Sequence, residues 1–140
     1  LTILGDGEDR DKIKNSIIDL GLEENVQLMG KVSHKKISNY LFDSGMLLLT
    51  SHSEASPTVV RESLAANRPV VSFNVGDCRD FIVSGKNGFI VSDRNVDDFA
   101  DKVFQCSELI NNNELSFPTP KEEFGEKKMI NKTLEAYERA

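Results

Sequence analysis

The chain has 140 residues, which is enough for one domain with its own hydrophobic core. Its composition is 39% hydrophobic and 29% charged, which is ordinary for a globular protein and argues against intrinsic disorder. A net charge of −6 makes it a poor candidate for binding nucleic acid, and its longest apolar run, Met46 to Leu49, is too short to span a bilayer.

Short apolar runs alternate with helical patterns in the first fifty residues. Ile13, Ile17 and Leu20 recur at helical spacing, and Gly21 follows them as a C-terminal cap. The apolar run that ends at Thr50 is typical of a strand covered on both faces. In order, the elements predicted here are a strand over 1–5, a helix over 8–20, a strand over 26–29, a helix over 33–44 and a strand over 46–50.

The same alternation continues through the rest of the chain. Ser56 followed by Pro57 predicts a helix start, with the serine as N-cap and the proline as the first helical residue. The predicted elements are a helix over 57–66, a strand over 69–73, one or two helical turns over 79–84, a strand over 88–91, a helix capped by Asn95 with Val96, Phe99, Ala100 and Val103 on its inner face, and a last helix over 119–140.

Strands that alternate with helices indicate an α/β fold with a Rossmann-like, doubly wound parallel sheet. Such sheets bind ligands beyond the carboxyl ends of their strands, where the helices begin. This rule points to four connections of the predicted fold, over residues 5–7, 30–33, 51–58 and 74–79.

Two glutamates lie eight positions apart around the third predicted helix. Glu54 is in the polar loop that follows a strand, and Glu62 is the sixth residue of a helix that begins at Pro57. The amides of Thr58 and Val59 are free at this helix start, where the helix dipole favours a phosphate. Because carboxylates accept hydrogen bonds from hydroxyls, the pair suits a ligand in which a sugar, a diphosphate and a ribose lie in line.

These residues resemble a known family. Glu54, seven residues and Glu62, together with residues 63–71, look like the E-x7-E region of the GT-B retaining glycosyltransferases of the large family 4. Three further blocks are similar to its glycine turns and strands, and they are residues 1–7, 25–32 and 85–91. The four blocks occur in the order of the family, which makes the match far more specific than a lone pair of glutamates.

The resemblance implies a role for each matching residue. Glu54 matches the catalytic glutamate that faces the donor sugar, and Glu62 matches the glutamate that holds the ribose hydroxyls of the donor. The other implied donor-binding residues are Gly5, Gly7, Gly30, Lys31, Val32, Ser56, Pro57, Thr58 and Val59. Family members retain the anomeric configuration, and their mechanism is drawn as a front-face substitution that needs no metal ion and no cofactor.

The resemblance also implies a longer enzyme. Residues 1–118 correspond to the donor-binding domain in the C-terminal half of a GT-B fold, and residues 119–140 correspond to a C-terminal helix of that domain. The acceptor domain and the basic pair that the family uses for the diphosphate belong before Leu1. We therefore expect the fragment to be inactive alone.

The expected partners are a nucleotide-sugar donor, with UDP as the favoured nucleotide, and a saccharide or lipid-linked acceptor bound through the missing N-terminal domain. The expected transfer moves a hexose or N-acetylhexosamine, as in bacterial O-antigen or capsule synthesis. Cys78 and Cys106 match no metal or redox spacing, which indicates reduced thiols in a cytoplasmic protein. Peripheral attachment of the full-length enzyme to the inner face of the membrane is a further alternative that the sequence leaves open.

Four residues depart from the family pattern. Ala55 stands where glycine is usual, and Ser56 stands where a bulkier residue is common. Asp77 replaces the second glycine of a Gly-Gly turn, and Asp80 replaces a glutamate. Because of these differences, the sequence does not predict how the sugar is contacted or which contacts the connection over 74–79 makes.

Three further side chains near the candidate site are not expected to be catalytic. His52 lies in the candidate site but has no evident partner. Arg61 is expected to pair on the surface, with a phosphate group as its alternative partner. Cys78 is expected to face the site without taking part in the chemistry.

Other interpretations of the sequence fit less well. The turn at Gly5 lacks the third glycine of a dinucleotide fingerprint, because Arg10 stands at that position. The D-x-D pattern of metal-dependent transferases matches residues 9–11, but these fall inside a helical pattern. The open functional alternatives are a nucleotide-sugar 2-epimerase with the same fold and a degenerate, non-catalytic binding module.

Overall fold

The computed structural model describes residues 1–117, and the helix predicted over 119–140 lies outside them. Strands alternate with helices, so the predicted α/β class is confirmed. In this described part, no helix is long and apolar enough to cross a membrane. The elements are β1 (Thr2–Leu4), α1 (Arg10–Asp19), β2 (Gln27–Gly30), α2 (His34–Asp43), β3 (Leu47–Leu49), α3 (Thr58–Ala65), β4 (Val70–Phe73), a 3-10 turn (Cys78–Asp80), β5 (Gly88–Val91) and α4 (Val96–Asn111).

The described strand pairs are all parallel, and the strands form two sheets. β1 pairs with β2 in one sheet, and β4 lies between β3 and β5 in the other. The sequence pattern predicts the parallel direction but not this division. Alternation with helices sets strand direction, whereas pairing depends on which strands become neighbours in space.

The chain divides into two compact units, and the boundary falls after Ile37, inside α2. In the first unit, the Gly5 amide donates a hydrogen bond to the Gly30 carbonyl, with an N–O distance of 2.8 Å. This bond joins the ends of β1 and β2. No residue of α1 is buried, so the first unit has little core of its own.

The core of the second unit lies on both faces of its sheet. Val70 and Val71, neighbours on β4, are fully buried and point to opposite faces. Val70 belongs to one hydrophobic cluster with Leu64 of α3, and Val71 belongs to another with Phe99 of α4. Helices on the two faces of parallel strands are the doubly wound arrangement that the sequence predicts.

The buried face of α4 differs from the predicted one. The Asn95 side chain accepts hydrogen bonds from two amides of the first turn, so the predicted N-cap is confirmed. Val96 is 76% exposed and Ala100 is also exposed, so their assignment to the inner face was wrong. Burial begins one turn into the helix, at Phe99, and continues at helical spacing through Val103, Cys106 and Ile110. Val96 is the first residue of the helix, and Ala100 lies beside this stripe.

Candidate functional site

The carboxyl ends of β3, β4 and β5 lie at one edge of the second unit's sheet, because the three strands are parallel. Three connections leave this edge, over residues 50–57, 74–77 and 92–95. They contain the candidate residues of the second unit that precede α3. Contacts among these three connections therefore decide the shape of the candidate site.

Glu54 and Glu62 lie on either side of the start of α3. Glu54 is exposed in the connection after β3, and Glu62 is half-buried within the helix, as the sequence predicts. Because α3 begins at Thr58, Glu62 is its fifth residue and lies about 6 Å along the axis from the helix start. The first amides of a helix have no intrahelical acceptor, and the dipole there favours an anion. A phosphate at this point would have one carboxylate before it and one after it.

The start of α3 differs from the prediction at Ser56. Pro57 occupies the capping position, with φ −70° and ψ 103°, and no side chain within residues 1–117 caps the helix. The assignment of Ser56 as N-cap was therefore wrong. Its hydroxyl donates instead to Oδ2 of Asp77, at 2.8 Å, and a carboxylate makes a stronger hydrogen-bond partner than a neutral group.

Arg61 completes this cluster from the first turns of α3. Its Nη1 donates to the Ser56 hydroxyl at 3.0 Å and lies 3.6 Å from Oδ2 of Asp77. Its guanidinium also lies 5.2 Å from the centroid of the Phe81 ring. The side chains of Arg61 and Asp77 are 28% and 31% exposed, so the expected surface pairing is confirmed in a partly shielded form.

The connection after β4 also touches the backbone that carries Glu54. Gly76 has φ 51°, and a side-chain carbon there would lie 2.6 Å from the Ala55 carbonyl oxygen and 2.9 Å from that of Glu54. Only a glycine allows two backbone segments to approach this closely in this conformation. Gly76 lies in the connection over 74–79 to which the sequence points, but it is not among the predicted site residues, although the family's glycine turn is a signal for it.

His52 has a partner that the sequence did not indicate. Nη1 of Arg94 lies 2.6 Å from Nδ1 of His52, and Nη2 of Arg94 donates to the His52 carbonyl oxygen. Arginine carries donors only, so Nδ1 of His52 is the acceptor in this contact. The two residues are 42 positions apart, and they meet because β3 and β5 end at the same edge.

Cys78 does not face the site, so this expectation was wrong. Its side chain is fully buried in the cluster beneath α3, and the Ser72 hydroxyl donates to its sulfur at 3.7 Å. Burial raises the pKa of the Cys78 thiol, while the hydrogen bond from Ser72 opposes that shift. A buried thiol of raised pKa is a poor nucleophile.

The remaining candidate residues lie in the first unit. The turn Gly5–Gly7 follows β1, and Gly30 is the buried last residue of β2. Lys31 is exposed and Val32 is half-buried, just before α2. Because β1 and β2 are parallel, both groups leave the same edge of that sheet, as the sequence predicts.

The D-x-D pattern lies on a helix, as expected. Asp9 is the N-cap residue of α1, and Asp11 lies in its first turn. Over residues 1–117, no group of three or more His, Cys, Asp or Glu could hold a metal ion. The expectation of metal-independent transfer remains a prediction.

Comparisons with known proteins bear on the family. Residues 1–116 match the family model described as "Glycosyl transferases group 1". The chain is 36% identical over 126 residues to the poly(ribitol-phosphate) alpha-N-acetylglucosaminyltransferase of Staphylococcus aureus. The aligned residues cover 89% of this chain and 24% of that protein. The chain thus spans about a quarter of the length of this relative.

Solved structures give the same answer for the fold. A TarM mutant from S. aureus, in complex with fondaparinux, alpha-GlcNAc-glycerol and UDP, has a TM-score of 0.69 at 26% identity and covers 96% of this chain and 28% of that one. The apo form of the lipopolysaccharide outer core galactosyltransferase WaaB has a TM-score of 0.68 at 27% identity and covers 84% of this chain and 33% of that one. The chain belongs to the glycosyl transferases group 1 family, within the GT-B superfamily.

Proposed function

We propose that this chain is the donor-binding part of a retaining glycosyltransferase of the E-x7-E type, in the C-terminal half of a GT-B enzyme. The observation that carries the proposal is the position of Glu54 and Glu62 on either side of the start of α3. A helix start between two carboxylates offers amides to a diphosphate and acceptors to the hydroxyls on both sides of it.

Each of these groups then has one task. Glu62 accepts hydrogen bonds from the ribose hydroxyls, and the backbone from Ser56 to Val59 binds the diphosphate and part of the sugar. Glu54 faces the sugar, where a fixed carboxylate stabilises the positive charge that develops at the reacting carbon. Because the departing diphosphate stays at the helix start, its growing negative charge meets the positive end of the dipole.

The donor that we propose is a UDP-sugar that carries a hexose or an N-acetylhexosamine. In support, the S. aureus relative is named for N-acetylglucosaminyl transfer, and the TarM mutant structure contains UDP. The acceptor would be a saccharide or lipid-linked saccharide of a bacterial surface polysaccharide, such as an O-antigen or capsule. We place the acceptor site in another part of the enzyme, and the enzyme at the cytoplasmic side of the membrane.

We also propose that the transfer needs no metal ion and no organic cofactor. The support is that the first amides of α3 have no acceptor within the helix, so the helix start offers donors and a positive dipole end to the diphosphate. Activity of the complete enzyme should therefore survive an excess of EDTA. Restoration of lost activity by Mg²⁺ or Mn²⁺ would contradict this part of the proposal.

An NMR titration of the 140-residue chain with UDP, GDP and ADP tests the proposal. We expect one nucleotide to bind in the high micromolar to millimolar range, about −4 to −5 kcal/mol, with shifts at the amides of Ser56 and Glu62. Shifts at Gly30 test the base-facing role that the resemblance assigns to its turn. Glu62→Gln should abolish saturation, because the amide has half the acceptor capacity of a carboxylate.

Glu108→Gln is the matched control, since it removes the same charge from α4. It should leave the affinity unchanged. If the wild-type chain and the complete enzyme both bind no nucleotide at millimolar concentration, the transferase proposal fails and a degenerate binding module replaces it. Acceptor-independent epimerisation of the donor by the complete enzyme would instead favour the 2-epimerase alternative.

A further inference from the structure

Glu54 lies in a connection that has no regular secondary structure. Residues 50–57 join β3 to α3 without a helix or strand of their own, and the Glu54 side chain is exposed. A carboxylate that supports transfer must nevertheless stay within a fraction of an ångström of its working position. The position of Glu54 must therefore be fixed by contacts that the rest of the segment makes.

The C-terminal end of the segment is held by Arg61. Its guanidinium is bonded to the Ser56 hydroxyl at 3.0 Å, is paired with the Asp77 carboxylate at 3.6 Å and lies over the Phe81 ring. Ser56 and Asp77 are bonded to each other at 2.8 Å, so the three polar groups form a closed triangle. Ser56 and Asp77 are both departures from the family pattern, and the structure pairs them.

The N-terminal end is held by Arg94. One arm of its guanidinium bonds the His52 ring and the other bonds the His52 carbonyl, so the contact fixes both backbone and side chain. Between the two ends, Gly76 packs against the carbonyls of Glu54 and Ala55. Every described contact comes from a neighbouring connection or from α3, and the contacts leave the carboxylate of Glu54 exposed.

We propose that Arg61 and Arg94 are positioning residues, which fix the segment 52–56 at its two ends and so hold Glu54 against the donor sugar. This inference rests on the proposed function. Arg61 and Arg94 lie outside the E-x7-E pair, and the inference gives both a role in sugar recognition. Neither residue has to touch the donor. Arg61 acts through Ser56 and Asp77, and Arg94 acts through His52.

The test compares UDP with UDP-N-acetylglucosamine in NMR titrations of the chain. The ratio of the two dissociation constants measures how much the sugar adds to the affinity of the chain for UDP. The same ratio in Glu54→Ala shows what remains when the Glu54 carboxylate is removed. We expect Arg61→Ala and Arg94→Ala to bring this ratio within about twofold of the Glu54→Ala value. Any effect of Arg61→Ala on diphosphate binding through Ser56 is common to both ligands and cancels in the ratio. A merely structural defect would weaken both ligands alike.

Two further variants sharpen the comparison. Lys86→Ala removes one positive charge from the opposite edge of the same sheet and should keep the wild-type ratio. Arg61→Lys keeps the charge near Asp77 but lacks the planar fork, so it should restore the ratio only in part. If Arg61→Lys binds UDP with the affinity of the wild type, the nucleotide site of this variant is folded.

The possible outcomes distinguish a failure of the proposed function from a failure of the positioning role of Arg61 and Arg94. If the wild-type chain binds neither ligand, the same comparison is made in the complete enzyme. If neither ligand binds there either, the proposed function fails and this inference fails with it. If the wild-type chain binds UDP but the sugar adds nothing that depends on Glu54, only the positioning role is overturned. It is overturned equally if Arg61→Ala and Arg94→Ala keep the wild-type ratio.

Discussion

Cys106 is the residue whose titration should be visible in the stability of the chain. Its side chain is fully buried, and burial raises the pKa of its thiol from the ordinary 9.0 to about 11. The folded chain therefore keeps this proton at pH values where the unfolded chain loses it. The resulting stability is complete below pH 9 and is lost as the pH rises from 9 to about 11, by at most about 1.4 kcal/mol per pH unit.

Urea unfolding of the wild type and of Cys106→Ala, at about pH 8 and about pH 10.5, checks this expectation. Every other titratable group is the same in both proteins, so the difference between the two proteins isolates the Cys106 thiol. The variant should start less stable, because it lacks a buried sulfur, and should lose less stability as the pH rises. Parallel losses in the two proteins would contradict the raised pKa of Cys106.

At the residue scale, sequence reasoning succeeds where chemistry is local and fails where it is not. Glu54 and Glu62 are found at their predicted places because a strand, a loop and a helix start follow from neighbouring residues. The N-cap prediction for Ser56 fails because Asp77, 21 positions away, takes its hydroxyl. The Arg94 contact to His52 spans 42 positions and carries no local signal.

At the scale of elements, the connection after β4 should be the least tolerant of change. Gly76→Ala places a carbon 2.6 to 2.9 Å from three backbone atoms of residues 54 and 55, in a backbone conformation that L residues rarely adopt. We expect it to destabilise the chain by more than about 1 kcal/mol and to shift the amides around Glu54. Thermal unfolding and an amide NMR spectrum measure the two effects.

Gly85→Ala is the matched control for Gly76→Ala. Gly85 also has a positive φ, 76°, but a carbon placed there has no atom within 4 Å. This control should show the backbone strain alone, about 1 kcal/mol, and should leave the Glu54 amides in place. Equal effects of the two substitutions would mean that the close approach of Gly76 to the Glu54 segment is not maintained in solution.

Element types were easier to predict than the faces that the elements bury. All predicted strands and helices within residues 1–117 are present, with ends displaced by at most two residues, because apolar spacing and caps are local properties. The helical turns predicted over 79–84 shorten to the 3-10 turn Cys78–Asp80. Val96 was assigned to the inner face of α4 because it is apolar and near Phe99. It is 76% exposed as the first residue of the helix, and the spacing does not reveal how far along α4 burial begins.

At the scale of the whole chain, the two units have unequal cores, and their amides should exchange with solvent unequally. Val70, Val71 and Ser72 of the central strand β4 are fully buried, whereas no residue of α1 is buried. Amides of β4 should therefore exchange only through global unfolding, while amides of α1 open locally. We expect α1 to exchange at least about 100-fold faster than β4, after correction for intrinsic rates.

Hydrogen exchange followed by NMR measures this difference, and a mild concentration of urea separates its causes. Global opening exposes much surface, so β4 exchange should accelerate steeply with urea, whereas local fraying of α1 should barely respond. Ile3 and Leu28, half-buried on β1 and β2, supply amides that test the first unit beyond its helix. If the amides of α1 match those of β4 in rate and urea dependence, α1 opens only when the whole chain unfolds. That result would contradict the inference that its lack of buried residues leaves α1 only locally stable.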